Sequence, residues 1–262
     1  NIAYNLRLLG EMPVLMTVVG SDFEPYRARL LELGCNVEHV YASDKALTAS
    51  AFIVTDREEN QITIFEPGAM FTIDTSQSVK DAGAGTLAWA IISPDRPERM
   101  VKLSLECAES GVPYVFDPAQ QIPNFQNPDL MKALSGAAVV IANEYESALL
   151  SKKLGVTPEE LSAMVPTFIE THGSKGCSIK SPEGMFFVRA VQPAQIADPT
   201  GCGDAFRAGV LMGLRRGFAI QKSCMVGALI ATYSLEQPGT QNHRFTMDEF
   251  GARFENNFGE TL

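Results

Sequence analysis

The chain has 262 residues, of which 45% are hydrophobic and 20% charged. That balance excludes a disordered or fibrous chain and allows a sizeable core, with one large domain and a small appendage as the expected organisation. The formal net charge of −10 argues against nucleic-acid binding by a basic surface, but leaves local phosphate binding through backbone amides and a metal ion open.

Ile2 to Leu9 is predicted as a helix, with Ile2, Leu6 and Leu9 on one face and Gly10 as its stop. A chain that begins at Asn1 with a helix and no preceding strand is expected to lack N-terminal sequence. Met12 to Val19 reads as a buried strand, and Glu24 to Leu33 as a helix ending at Gly34. Val37 to Tyr41, Thr48 to Thr55 and Gln61 to Phe65 read as consecutive strands, with Asp56 to Asn60 as a polar turn. Strands without helices between them predict a small sheet over about residues 37–66, either a lid over a substrate site or an ordinary edge hairpin.

Strand and helix then alternate. Strands are predicted at Leu87 to Ser93, Val112 to Phe116, Ala137 to Ala142 and Thr167 to Thr171, with helices at Arg96 to Ser110 and Glu144 to Lys153. Cys177 to Lys180 and Met185 to Val191 read as strands around a Pro182-Glu183-Gly184 turn. The last part is helical, at Gly203 to Arg216, Ile220 to Leu235 and Met247 to Asn256. This order predicts an α/β fold with a mainly parallel sheet covered on both faces, and ligands bound beyond the carboxyl ends of its strands.

Asp198-Pro199-Thr200-Gly201-Cys202-Gly203-Asp204 is the segment richest in chemistry. It reads as a glycine turn opening into a helix, where exposed N–H groups and the helix dipole attract an anion. Asp204 would lie beside that anion, placed to accept a proton from an attacking hydroxyl. A plain helix cap is the alternative. Asn143 and Glu146 follow an apolar strand and suit either water-mediated Mg²⁺ binding or a capping box. Thr171-His172-Gly173-Ser174-Lys175-Gly176 is a turn that can approach nucleotide phosphates or simply join two strands. His172 reads as structural. In the small sheet, Gln61 can hydrogen-bond a substrate and Phe65 can stack on a base or sugar; a core Phe is the alternative. Pro238-Gly239-Thr240-Gln241-Asn242 can flank a purine or serve as a polar connector.

Other signatures are absent or misplaced. Gly83-Ala84-Gly85 precedes a strand instead of following one, so it is discounted as a dinucleotide site. No G-x-x-x-x-G-K-[ST] and no G-x-S-x-G occurs. Cys35, Cys107, Cys177, Cys202 and Cys224 include no C-x-x-C pair, so reduced thiols and a cytoplasmic setting are expected. The three histidines lack metal-ligand spacing, and no apolar run is long enough to span a membrane.

Taken together, these segments resemble the PfkB (ribokinase-like) carbohydrate kinases. Asp198 to Asp204 resembles that family's D-T-x-G-A-G-D signature, Asn143 to Glu146 its N-x-x-E motif, and Thr171 to Gly176 its T-x-G-x-x-G segment. Asn1 to Leu6 looks like the end of its G-G-x-x-x-N motif without the glycines. The order and spacing agree over essentially all 262 residues. Asn60-Gln61-Ile62-Thr63 and Pro67-Gly68-Ala69 look most like the family's bacterial and archaeal nucleoside kinases.

The resemblance implies a single three-layer α/β/α domain over residues 1–262, with a small β-sheet lid inserted in it. It implies ATP- and Mg²⁺-dependent phosphorylation of a primary hydroxyl, on a nucleoside such as adenosine. Asp204 would be the base, and Gly201, Cys202 and Gly203 the anion hole. Asn143 and Glu146 would position Mg²⁺ through water, while Thr171, Gly173, Gly176 and Thr200 would line the nucleotide site. Asp198 would help hold a monovalent cation, K⁺, and Asn1 would contact the sugar. Gln61 and Phe65 would reach the substrate from the lid, which could also pair two copies. Cys202 departs from the usual alanine, Pro199 lacks an N–H, and the family's substrate-binding Asp has no counterpart in this chain. The rivals are a kinase of ribose, fructose or a related sugar, a non-catalytic nucleotide- or nucleoside-binding protein, and an interaction module built on the lid.

Overall fold

The computed structural model describes residues 1–55, 61–71 and 77–262, without the side chains of Thr55, Gln61 and Ala84. The expected turn at 56–60 and the Gln61 side chain therefore lie outside the described residues. The chain runs α1 (Ile2–Leu8), β1 (Thr17–Val19), α2 (Glu24–Glu32), β2 (Val40–Ala42), β3 (Ser50–Thr55) and β4 (Gln61–Glu66). It continues β5 (Ala90–Ile92), α3 (Pro97–Glu109), β6 (Tyr114–Phe116), α4 (Asn127–Ser135), β7 (Val139–Asn143) and α5 (Glu144–Leu154). Then come α6 (Pro158–Ala163), β8 (Thr167–Thr171), β9 (Gly176–Ser181), β10 (Gly184–Arg189), α7 (Cys202–Arg215), α8 (Ile220–Leu235) and α9 (Met247–Phe258).

Alternate strand residues feed two cores, because successive side chains on a strand point to opposite faces. Val115, Val139, Ile141 and Ile169 are buried with residues of α1, α7, α8 and α9. Tyr114, Phe116, Val140, Ala142 and Phe168 are buried with residues of α3, α4, α5 and α6. The strands read as continuous apolar runs for this reason. The main sheet has the order β10-β9-β8-β7-β6-β5. Its pairs are parallel from β5 through β8 and antiparallel from β8 through β10. This is the three-layer α/β/α arrangement that the alternation predicts.

The first third departs from the sequence reading. The strand expected over Met12 to Val19 contracts to β1, with an isolated bridge at Val14; Met12 is left in solvent. The strand expected over 37–41 becomes β2, which pairs with β1 in parallel and not with the following hairpin. A separate core of Val19, Phe23, Leu30, Cys35 and Val37 fixes that pairing under α2. The small antiparallel ribbon thus contains β3 and β4 alone among the described residues. Its base is pinned where the Ala69 N–H donates to Leu47 O at 2.8 Å and the Thr48 N–H to Asp22 Oδ1 at 2.7 Å. The strand expected at 87–93 shortens to β5, because its partner β6 is only Tyr114–Phe116, bounded by Pro113 and Pro118. Residues 84–86 form a 3₁₀ turn ahead of β5, in keeping with the discounted glycine pattern.

Helices α7 and α8 approach unusually closely. A Cβ on Gly209 would lie 2.6 Å from Gly227 Cα, and a Cβ on Gly227 would lie 2.8 Å from Phe206 O. Both obstacles are backbone, so no rotamer change relieves them. Gly251 on α9 has open space around its Cβ position. The same substitution should therefore change sign between the two sites. In urea denaturation, Gly209→Ala is expected to lower stability by about 1–3 kcal/mol through overpacking. Gly251→Ala is expected to raise it by up to about 1 kcal/mol through helix propensity.

Candidate active site

The site forms where the C-terminal ends of β6, β7 and β8 meet the N-terminus of α7. Gly201 is the N-cap of α7 with φ 85°, a left-handed conformation that glycine adopts without strain, and no side chain caps this helix end. The first amides of a helix have no intrahelical partner, so a turn of this kind can offer N–H donors to an anion. A Cβ on Gly201 would lie 3.0 Å from the Thr240 side chain, and one on Gly203 would lie 2.8 Å from an Arg207 nitrogen. Gly201 is thus fixed by close approach as well as by backbone shape, whereas Gly203 is an ordinary helical residue whose neighbour is the end of the Arg207 side chain.

Asp198 clamps the turn. The Thr200 N–H donates to Asp198 Oδ1 and the Gly239 N–H to Asp198 Oδ2, each at 2.9 Å. Burial works against the charge, but these hydrogen bonds outweigh it and hold Asp198 below the usual Asp range. The carboxylate therefore ties α7's entry to the connector after α8. Burial pushes the Cys202 thiol up to about 11, so it is neutral at pH 7. The Cys202 N–H donates to Pro199 O at 3.3 Å, closing the turn, so of the three amides expected in the anion hole this one already has a protein partner.

Asp204 lies on the first turn of α7. The Asn1 amide donates to Asp204 Oδ2 at 2.7 Å, and Asn1 Oδ1 accepts from Gln241 at 3.0 Å. Gln241 also donates to the Tyr26 hydroxyl at 2.7 Å. The sequence reading placed Asn1 and Asp204 at one site, and the structure joins them across the length of the chain.

Asn143 and Glu146 form a complete capping box at α5. The Asn143 N–H donates to Glu146 Oε2 and the Glu146 N–H to Asn143 Oδ1, both at 2.8 Å. Thr171 pairs with Asn143 across the parallel β7–β8 ladder, which brings the turn from Thr171 to Gly176 to the same edge. That turn is a hairpin loop in which the His172 N–H donates to Gly176 O at 2.8 Å. Gly173 and Gly176 have φ 56° and 117°, and a Cβ on Gly176 would meet Val188 O at 2.0 Å. His172 is engaged structurally, 2.8 Å from the Ser178 hydroxyl and 3.1 Å from Glu144.

The structure adds two residues that the sequence reading left without a role. Arg207, one turn beyond Asp204, approaches Asp117 at the end of β6, with Nε 2.6 Å from Oδ2 and Nη2 2.6 Å from Oδ1. Arg207 Nη2 also lies 3.9 Å from Glu146 Oε2. Burial lifts the Asp117 carboxyl to about 6, against the pull of Arg207, with the Glu146 and Asp204 charges adding to the rise. The pair is ionised at neutral pH. Phe65 stands half exposed on the ribbon, so it is not the core residue of the alternative reading, and no described contact ties it to Asp204.

Among the described residues no group of three or more His, Cys, Asp or Glu side chains could hold a metal directly. A water-bridged Mg²⁺ carried on substrate phosphates fits better, since Glu146 Oε1 accepts no protein hydrogen bond among the described residues. No described helix is long and apolar enough to cross a membrane.

An open helix N-terminus with a carboxylate on its first turn suits phosphoryl transfer to an alcohol, and the family of the chain makes it a phosphotransferase of that kind. The chain belongs to the pfkB family of carbohydrate kinases, whose model matches residues 1–246. It is similar to a nucleoside kinase of Methanocaldococcus jannaschii, 29% identical over 262 residues, covering 97% of this chain and 83% of that protein. Its fold is similar to a Burkholderia thailandensis nucleoside kinase in complex with inosine, with TM-score 0.92 and 35% identity, covering 100% of this chain and 87% of that one. The same enzyme in complex with ADP-inosine superposes with TM-score 0.90, covering 99% and 81%. The ribokinase-like fold and the kinase class expected from the motifs are therefore correct.

Loop 236–246 is joined to α1 by a buried histidine. His243 is 1% exposed and its Nε2 lies 2.7 Å from Asn5 Oδ1. Because Asn5 Nδ2 donates to Asn1 O, Oδ1 is the acceptor and His243 Nε2 carries the proton. Burial lowers the His243 pKa from 6.5 to about 4. The unfolded chain therefore takes up this proton first, and the stabilisation is complete above about pH 6.5 and is lost as pH falls toward 4. In denaturation curves at successive pH values, wild type is expected to lose up to about 1.4 kcal/mol per pH unit below 6.5 relative to His243→Gln.

Proposed function

We propose that this kinase transfers the γ-phosphoryl group of ATP to a primary hydroxyl of a nucleoside, the ribose 5′-OH of adenosine or a related ribonucleoside. The carrying observation is Asp204 on the uncapped first turn of α7, with one oxygen held by Asn1. The other oxygen is left to take the proton of the attacking hydroxyl. The substrate oxygen then bonds to the γ-phosphorus, the bond to the β-phosphate bridge oxygen breaks, and ADP leaves. Amides at Gly201 and Gly203 would receive the charge spread over the transferring group, with the Cys202 N–H joining them if it leaves Pro199 O. The nucleoside subclass is supported by the named relatives, one of them in complex with inosine.

Asn143 and Glu146 would hold the water shell of Mg²⁺, which when bound supplies charge neutralisation on the phosphates. Thr171, Gly173 and Gly176, at the end of the same ladder, would line the nucleotide's phosphates with Thr200. Asp198 is held ionised at this turn, which fits a role beside a monovalent cation such as K⁺. The free cysteines agree with a cytoplasmic setting.

The β3–β4 ribbon would serve as the lid, with Gln61 and Phe65 reaching the nucleoside. Phe52, Val54, Ile62 and Ile64 lie together on the other face, each 60–70% exposed. An apolar face of this size suits pairing with the ribbon of a second copy. Light scattering is expected to show a dimer that Ile62→Lys/Ile64→Lys converts to monomers; a monomeric wild type refutes the pairing.

The function is tested by ADP release with ATP, Mg²⁺ and a panel of adenosine, inosine, guanosine, ribose and fructose. Turnover is expected with a nucleoside, and Asp204→Asn should lower kcat by roughly 10²–10⁴ with folding retained. Turnover only with a free sugar would keep the chemistry and replace the substrate. Nucleoside binding without turnover would make the protein a binding module.

A further inference from the structure

The Arg207–Asp117 pair is costly as a structural element. Removing both charges from water is expensive, and an apolar pair of similar size would hold the same elements together at least as well. Its position accounts for its presence. Asp117 ends β6, Glu146 opens α5 from the end of β7, and Arg207 lies one turn into α7. The guanidinium folds back toward its own helix N-terminus, so closely that a Cβ on Gly203 would come within 2.8 Å of it. One planar cation thus touches the anion-binding turn, a buried aspartate and the neighbourhood of Glu146 at once. Asp204 also faces it electrostatically.

We infer that Arg207, oriented by Asp117, is a positioning residue for phosphoryl transfer: it sets the α7 turn carrying Gly203 and Asp204 against Glu146. This rests on the kinase reading above and deepens it. The guanidinium contributes in two ways. It offsets part of the negative charge of Asp117, Glu146 and Asp204, which would otherwise repel one another and incoming phosphates. It also fixes geometry: Nη2 donates to Asp117 Oδ1, Nε lies against Oδ2, and Nη1 lies toward Gly203, three placements of one planar group that a point-like ammonium cannot reproduce. Arg207 acts through its neighbours, so its loss should appear in turnover while nucleoside affinity is kept.

The test compares wild type, Asp204→Asn, Asp117→Asn, Arg207→Lys and Arg207→Met in steady-state kinetics, calorimetric nucleoside binding and urea denaturation. Wild-type turnover lost in Asp204→Asn establishes the underlying reading. On that footing, Asp117→Asn and Arg207→Met are expected to lower kcat by on the order of 10–10²-fold, the scale of a small misplacement of reacting groups. The nucleoside Kd should stay within about threefold, and Arg207→Lys should recover only part of kcat because it restores charge without the planar group that spans Asp117 and Gly203. Should Arg207→Met fail to fold, Asp117→Asn, nearly isosteric, carries the same comparison. A kcat within twofold of wild type in folded Asp117→Asn and Arg207→Lys overturns the inference and leaves the kinase reading standing. A loss that only tracks the fraction of folded protein also overturns it. Absence of wild-type turnover overturns the kinase reading and the inference together.

Discussion

The geometry of the site depends on a helix that begins without a cap. At α5, α6 and α9 an Asn or Thr side chain occupies the first amides in a capping box. At α7 a left-handed glycine takes that place and no side chain covers the donors, although the Cys202 N–H turns back to Pro199 O at 3.3 Å. Uncovered amides in a partly buried position are unfavourable unless an anion satisfies them. The surrounding structure is consistent with that purpose. Asp198 fastens the approach, Thr240 packs on Gly201, and Arg207 packs under Gly203.

The sheet supplies the second half of the arrangement. Parallel strands bring their carboxyl ends to one edge, so Asp117, Asn143 and Thr171 arrive together although they are far apart in sequence. The α7–α8 contact then sets how α7 lies on that sheet, since two glycines let the backbones meet. The loop between α8 and α9 closes the site from the other side. Through Gln241, Gly239 and His243 it holds Asn1, Asp198 and Asn5 in turn.

Much of this was legible in the residues. The apolar runs at 139–142 and 167–169 announced buried strands, and α8 matched the predicted span at both ends. The Gly201-Cys202-Gly203-Asp204 turn announced itself by composition. Helices α4 and α6 were missed, although each carries Pro at its start, and Thr157 and Glu160 spell a capping box. They are nine and six residues long, so the signals at their starts, not a long apolar period, were what could have found them. The grouping of β2 with the ribbon failed because strand propensity does not encode a partner. Burial under α2 decided that β2 would join β1.

The sequence by itself determined the alternation of strands and helices, the open turn at Gly201 and the carboxylates at Asp204 and Glu146. These are local properties, written in side-chain period, glycine placement and motif spacing. Only the tertiary structure decided that Arg207 would meet Asp117 across 90 residues, that Asn1 would reach Asp204 across 203, and that His243 would be buried neutral against Asn5. Those outcomes depend on how whole elements pack. A charged residue three positions past a motif reads as a solvated helix residue until the fold removes the water around it.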